Sequence, residues 1–166
     1  MASRMMQAEA TKNTDVNIDT LMNVLGRYYQ IRDDYQDING TVLPPLFRYI
    51  VPFSHFALQS AGKSPHYGDL DQGSFTLPII HAIKFQDERG STELRSIFGS
   101  RKQTNSLSPD LKKFAVTKLE EAGSLEYTKG VLDGLHEELK QELDAVEERA
   151  SGKNWIIRLM LHRLKV

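Results

Sequence analysis

The chain has no cysteine in 166 residues. That excludes disulfide scaffolds, zinc–thiolate centres and cysteine nucleophiles, and it is compatible with a reducing, cytoplasmic setting. Excess charge is also missing: 21 Lys and Arg stand against 22 Asp and Glu, for a formal net charge of −1. That balance makes no electrostatic case for nucleic-acid binding. No uninterrupted apolar run approaches the roughly 20 residues of a membrane-spanning helix. The nearest candidate, residues 42–58, is broken by Pro44, Pro45 and Pro52 and charged at Arg48, so it reads as a loop or buried irregular segment. The first ten residues lack the apolar core of a signal peptide. No glycine-rich phosphate loop, nucleophile-elbow serine or internal repeat is found. The histidines at 55, 66, 81, 136 and 162 do not pair at metal-ligand spacing, and His81 reads as structural.

What is present is helical periodicity, with no strand pattern, so the expected fold class is all-α. A short helix is expected at about 3–12. Asn17 or Asp19 caps the next, which runs to about Ile38 and stops at Asn39-Gly40. Residues 41–73 form the irregular stretch, with four prolines and Gly62, Gly68 and Gly73. Helices resume from about Ser74, with Pro78 in a first turn, and again at 92–99. Ser108-Pro109 reads as a cap and first-turn proline for a helix whose apolar face is Leu111, Phe114, Ala115, Leu119 and Ala122 and which ends at Gly123. Ser124 opens the longest helix, with Thr128, Leu132, Leu135, Leu139, Leu143 and Val146 on one side. Glu137, Glu138, Lys140, Glu142 and Glu147 read as its solvated side. After a break at Ser151-Gly152, residues 155–161 predict a last apolar helix. Arg158, His162, Arg163 and Lys165 form a small basic cluster that reads as a solvated surface or as a helix C-terminus complementing its dipole, with diphosphate capping as the alternative.

The most informative run is Tyr28-Tyr29-Gln30-Ile31-Arg32-Asp33-Asp34-Tyr35-Gln36-Asp37. On a helix Gln30, Asp33, Asp34 and Asp37 fall at i, i+3, i+4 and i+7, on one face. Leu21, Val24, Leu25, Tyr28, Ile31, Tyr35 and Ile38 supply the apolar back. Tyr29 lies about a quarter-turn away and reads as core packing. A solvated acidic face has the same spacing, and spacing by itself favours that plainer reading. Two features run against it. No Lys or Arg stands three or four residues after Asp33, Asp34 or Asp37, where pairing partners are usual. Gly26 sits inside the helix at a cost of about 1 kcal/mol against Ala, which suggests the close approach of another group. Oxygen-rich acidic faces suit Mg²⁺, which takes one or two carboxylates plus waters and substrate phosphates.

On these residues the chain resembles the C-terminal half of fungal geranylgeranyl diphosphate synthases and related trans-prenyltransferases. Leu25-Gly26-Arg27-Tyr28-Tyr29-Gln30-Ile31-Arg32-Asp33-Asp34-Tyr35 is similar to the family's second aspartate-rich motif. Asp69-Leu70-Asp71-Gln72-Gly73-Ser74-Phe75-Thr76-Leu77-Pro78 and onward to Ile83 is similar to the segment downstream of it. A third similar segment, within 113–132, contains Ala122-Gly123-Ser124-Leu125-Glu126-Tyr127-Thr128.

The resemblance implies a partial isoprenoid-synthase helical bundle. Residues 1–166 form a single partial prenyltransferase domain, with an irregular insertion at about 41–68 whose atypical part is 41–66. It implies Mg²⁺-dependent head-to-tail condensation of isopentenyl diphosphate with an allylic diphosphate, both of them substrates. By the same resemblance Asp33 ligates metal directly, Asp34 and Asp37 ligate through water or support Asp33, and Gln30 sits beside the diphosphate. Lys63 is the nearest substitute for the family's diphosphate-binding lysine, whose own position here is Ser64. The full-length family member is a homodimer, with no nucleic-acid partner and no stable membrane span. The family's first aspartate-rich motif has no counterpart in this chain, so the chain alone is expected to be inactive. The alternatives are a silent helical subunit or fragment that associates with a complete synthase, and the prenyltransferase region of a terpene cyclase fusion.

Overall fold

A computed structural model of the protein describes residues 12–39, 67–100 and 107–166. Residues 3–11 of the helix expected at 3–12, the segment 41–66 with Lys63, His55 and His66, and the Arg101-Lys102 pair lie outside the described residues. The described residues form seven helices and no strand, so the all-α expectation holds. They are α1 (Asp19–Asn39), α2 (Gly68–Gln72), α3 (Leu77–Asp87), α4 (Glu93–Ser100), α5 (Pro109–Glu121), α6 (Ser124–Arg149) and α7 (Trp155–Leu164).

Local signals set most of these boundaries. Asn17 Oδ1 accepts the Asp19 N–H at 2.8 Å and satisfies an N–H at the start of α1. Ser108 Oγ accepts from the Leu111 N–H at 3.3 Å, and Pro109 follows at the first helical position of α5, where its missing N–H costs nothing. Gly123 adopts φ 63°, a left-handed conformation that separates α5 from α6 without steric cost. One expectation needs correction: the irregular stretch does not extend to Gly73, because residues 68–72 form α2.

The chain divides into two compact units. In the unit Asp33–Thr128 the core is built from Ile38 of α1, Leu70 of α2, Ile79, Ala82 and Ile83 of α3, Leu94 and Ile97 of α4, and Ala115 and Leu119 of α5. Helices α3, α4 and α5 pack against one another. Gln86 is buried, and its Oε1 accepts the Leu94 N–H at 3.0 Å, satisfying a first-turn donor of α4. His81 packs against the start of α6: its Nδ1 lies 2.9 Å from Ser124 Oγ and its ring stacks on Tyr127 at 4.1 Å.

The unit Met1–Arg32 with Lys129–Val166 buries Leu21, Val24 and Tyr28 of α1, Leu132, Leu135, Leu139 and Leu143 of α6, and Leu161 and Leu164 of α7. Each such side chain contributes about 1.5–3 kcal/mol on burial. The Leu164 carbonyl, at the end of α7, accepts from Tyr28 Oη at 2.6 Å and from Arg32 Nε at 2.9 Å. A helix-end carbonyl that would otherwise be orphaned is thereby satisfied twice. Two further corrections belong here. Glu147 is not on a solvated face: it is buried, accepts the Asn154 N–H at 2.7 Å and pairs with Arg158. Arg158 is correspondingly half-buried rather than simply solvated, and it bridges Glu147 and Asp144. Both changes arise because α7 folds back onto the α6 side that periodicity alone assigns to water.

Candidate functional site

The site begins with the last two turns of α1. Tyr35 and Ile38 are buried and fix the helix by its apolar back, which leaves Asp33 exposed and Asp34 and Asp37 half-buried on the front. Gln30 is exposed on α1. Gly26 is exposed too, and no described atom lies within 4 Å of the position a Cβ would take. Among the described residues nothing of this chain makes the close approach expected at Gly26.

One carboxylate that the motif spacing does not reveal joins the group. Helix α2 begins at Gly68 with no side-chain cap of its own. Asp37 Oδ2 serves instead, accepting the Asp69 N–H at 3.0 Å. This ties α2 to α1 and brings the Asp69 carboxyl to the Asp33–Asp34–Asp37 face. The partners are 32 residues apart in sequence. Asp69 stood out only as a landmark within the second matched segment, with no spacing signal linking it to α1.

The electrostatics follow from that crowding. Burial is the main cause that pushes Asp34 up from 3.8 to about 6, with further contributions from Asp69, Asp33 and Asp37. Asp69 is likewise pushed up to about 6, first by burial and then by Asp37 and Asp33. Neighbouring negative charges and partial desolvation both disfavour the ionised form. Arg32 adjoins Asp33 in sequence but is buried, with its Nε directed to the Leu164 carbonyl. Lys112 pairs with Asp71 instead of with the four-carboxylate group.

Crowded carboxylates are relieved by a cation, and through one such a face could hold an anion that it would otherwise repel. Among the described residues no three His, Cys, Asp or Glu side chains form a ready-made cation cage. The donor set nonetheless suits Mg²⁺, which keeps several waters and completes its shell with substrate phosphates rather than with an all-protein cage. Asp33 is exposed on the front of α1, and Asp37 accepts the Asp69 N–H through Oδ2. No described helix is long and apolar enough to cross a membrane.

The described residues thus define an all-α protein whose distinguishing chemistry is a four-carboxylate face shared by α1 and α2. Its relatives carry that further. The chain is 41% identical over 178 residues to dolasta-1(15),8-diene synthase of Colletotrichum gloeosporioides, an alignment that takes in 100% of this chain and 21% of the relative. A cyclopiane-type diterpene synthase of Penicillium chrysogenum is 32% identical over 169 residues, again across 100% of this chain and 22% of its own length. A bifunctional sesterterpene synthase of Talaromyces wortmannii is 34% identical over 168 residues, covering 100% of this chain and 20% of its own. The chain therefore spans about a fifth of the length of these curated relatives, and the three are fungal terpene synthases. No protein-family model matches it.

Proposed function

We propose that the chain is an isoprenyl diphosphate synthase region of the geranylgeranyl diphosphate synthase type, belonging to a larger terpene synthase. The observation that carries this reading is the gathering of Asp69 onto the Asp33–Asp34–Asp37 face, within a chain similar over its whole length to terpene synthase segments. The reaction is head-to-tail condensation of isopentenyl diphosphate with an allylic diphosphate. Mg²⁺, when bound, supplies the positive charge that holds the allylic diphosphate and stabilises it as a leaving anion.

Each residue has a distinct part. Asp33, exposed at the front of α1, would hold the cation directly. Asp34 and Asp37, half-buried beside it, would support the cation through water or by orienting Asp33. Gln30 offers amide N–H donors to the diphosphate. Lys63, outside the described residues, is a second diphosphate contact. The complete protein works as a homodimer in the cytoplasm.

The 20–22% coverage and the word bifunctional in one relative's name favour the fusion form of this reading, with a cyclase elsewhere in the same polypeptide. A silent subunit that pairs with a complete synthase is the competing form. Two measurements on this chain test the reading. Titration calorimetry is expected to detect Mg²⁺-dependent diphosphate binding that weakens by roughly 10-fold or more in Asp33→Ala; unchanged binding removes Asp33 from the site. Incubation of the chain alone with both diphosphates and Mg²⁺ is expected to yield no product, and product formation would defeat the silent-subunit form.

A further inference from the structure

We infer that Lys112 and Asp71 are positioning residues for the acidic face, whose ion pair holds α2 where Asp69 meets Asp37. The inference rests on the proposed cation–diphosphate reading of that face and adds to it two residues that touch neither ligand.

Helix α2 has 5 residues, far below the length at which a helix is stable by itself. Its placement depends on three consecutive residues, each held by a different group. Asp69 donates its N–H to Asp37 Oδ2 at 3.0 Å. Leu70 is fully buried in the apolar core. Asp71 accepts the Leu107 N–H through Oδ1 at 3.2 Å and pairs through Oδ2 with Lys112 Nζ at 2.5 Å. The flanks are sharp turns, with Tyr67 at φ 42° and Gly73 at φ 65°. A helix of one turn between two left-handed residues takes its orientation from such anchors and not from its neighbours in sequence.

Of the three, Asp71 is the one held by an ion pair. Lys112 and Asp71 are 20% and 31% exposed, shielded enough for the pair to act as more than a solvated contact. The pair has a second consequence: it directs the Asp71 carboxylate towards α5, so that only Asp69 of the two α2 carboxylates joins the repelling group. Without Lys112, Asp71 loses its cation and α2 loses one of its three anchors. The Asp69 N–H then parts more often from Asp37, and the fourth carboxylate leaves the face.

The test compares the wild-type chain with Lys112→Met, Asp71→Asn, the double variant and Lys112→Arg, all confirmed folded by circular dichroism. The first readout is amide hydrogen exchange at Asp69, referenced to the Leu119 amide in the core of the same unit. The second is Mg²⁺-dependent binding of inorganic diphosphate. Faster Asp69 exchange with Leu119 unchanged is expected in both single variants, with the double variant no worse than either. Diphosphate binding is expected to weaken by roughly 10-fold in the same variants and to recover in Lys112→Arg. If Asp69 exchange and binding stay at wild-type levels in Lys112→Met while Asp33→Ala abolishes binding, the positioning role is overturned and the site reading stands. If the wild-type chain shows no Mg²⁺-dependent binding, the site reading and the positioning role fall together.

Discussion

Replacing Asp69 by Asn removes one negative charge from the crowded face while leaving the backbone N–H that Asp37 accepts. Asp34 and Asp69 are each pushed up from 3.8 to about 6, so between those values the folded chain holds protons that the unfolded chain has released. Stability that depends on those protons is present at acid pH and is lost as pH rises from about 4 to about 6. A shift of about 2 units corresponds to roughly 3 kcal/mol for a fully desolvated group, and half-exposure reduces it to about 1–2 kcal/mol. The titration belongs to the cluster rather than to either residue alone. Asp69→Asn abolishes one of the two titrations and relieves Asp34. In urea unfolding followed by far-ultraviolet circular dichroism, without divalent cations, wild type and variant are expected to match near about pH 3.5. By about pH 8 the variant should be more stable by roughly 1 kcal/mol. Adding Mg²⁺ with inorganic diphosphate should reverse the order, because the face that repels itself is the face that binds. A gap that does not grow with pH, or a variant less stable at neutral pH, refutes the reasoning.

Three further outcomes follow from the packing. Tyr28→Phe removes the 2.6 Å bond to the Leu164 carbonyl while Arg32 keeps its own, and should cost about 1 kcal/mol in urea unfolding; an unchanged midpoint would mean that this contact carries no stability. Leu139→Ala, at a fully buried position of α6, should cost about 2–5 kcal/mol by the same assay. Arg158 is the first cause that lowers the Glu147 carboxyl below its usual range, so the pair adds stability above the unfolded value and loses it as pH falls through the folded one. Arg158→Met should lower the melting temperature at neutral pH and flatten that acid limb, whereas an acid limb like that of the wild type would show that the ion pair is not its source.

The limits of local reasoning are clearest along α1. Its extent, its packed back of Leu21, Val24, Tyr28, Tyr35 and Ile38 and its acidic front were legible because a helix repeats every few residues and its caps act over one turn. The start of α5 at Ser108-Pro109 and the break at Gly123 were legible for the same reason. Leu25 and Ile31 are only half-buried, since periodicity gives a side of the helix and not the depth of its cover. The same spacing could not distinguish Glu147 from Glu138, although one is buried against Arg158 and the other exposed. Nor could it show that the guanidinium beside Asp33 turns to the Leu164 carbonyl, 132 residues away.

The sequence by itself therefore determined the helical class, most helix boundaries and three of the four carboxylates on the candidate face. All of these depend on neighbours within a turn or two of the chain. Only the tertiary structure decided that Asp69 completes the face, that Asp37 caps α2, and that Lys112 answers Asp71. Each of those depends on which distant segment packs alongside, and a carboxylate becomes a solvated group, a strut or part of a cation site according to the partner that packing brings to it.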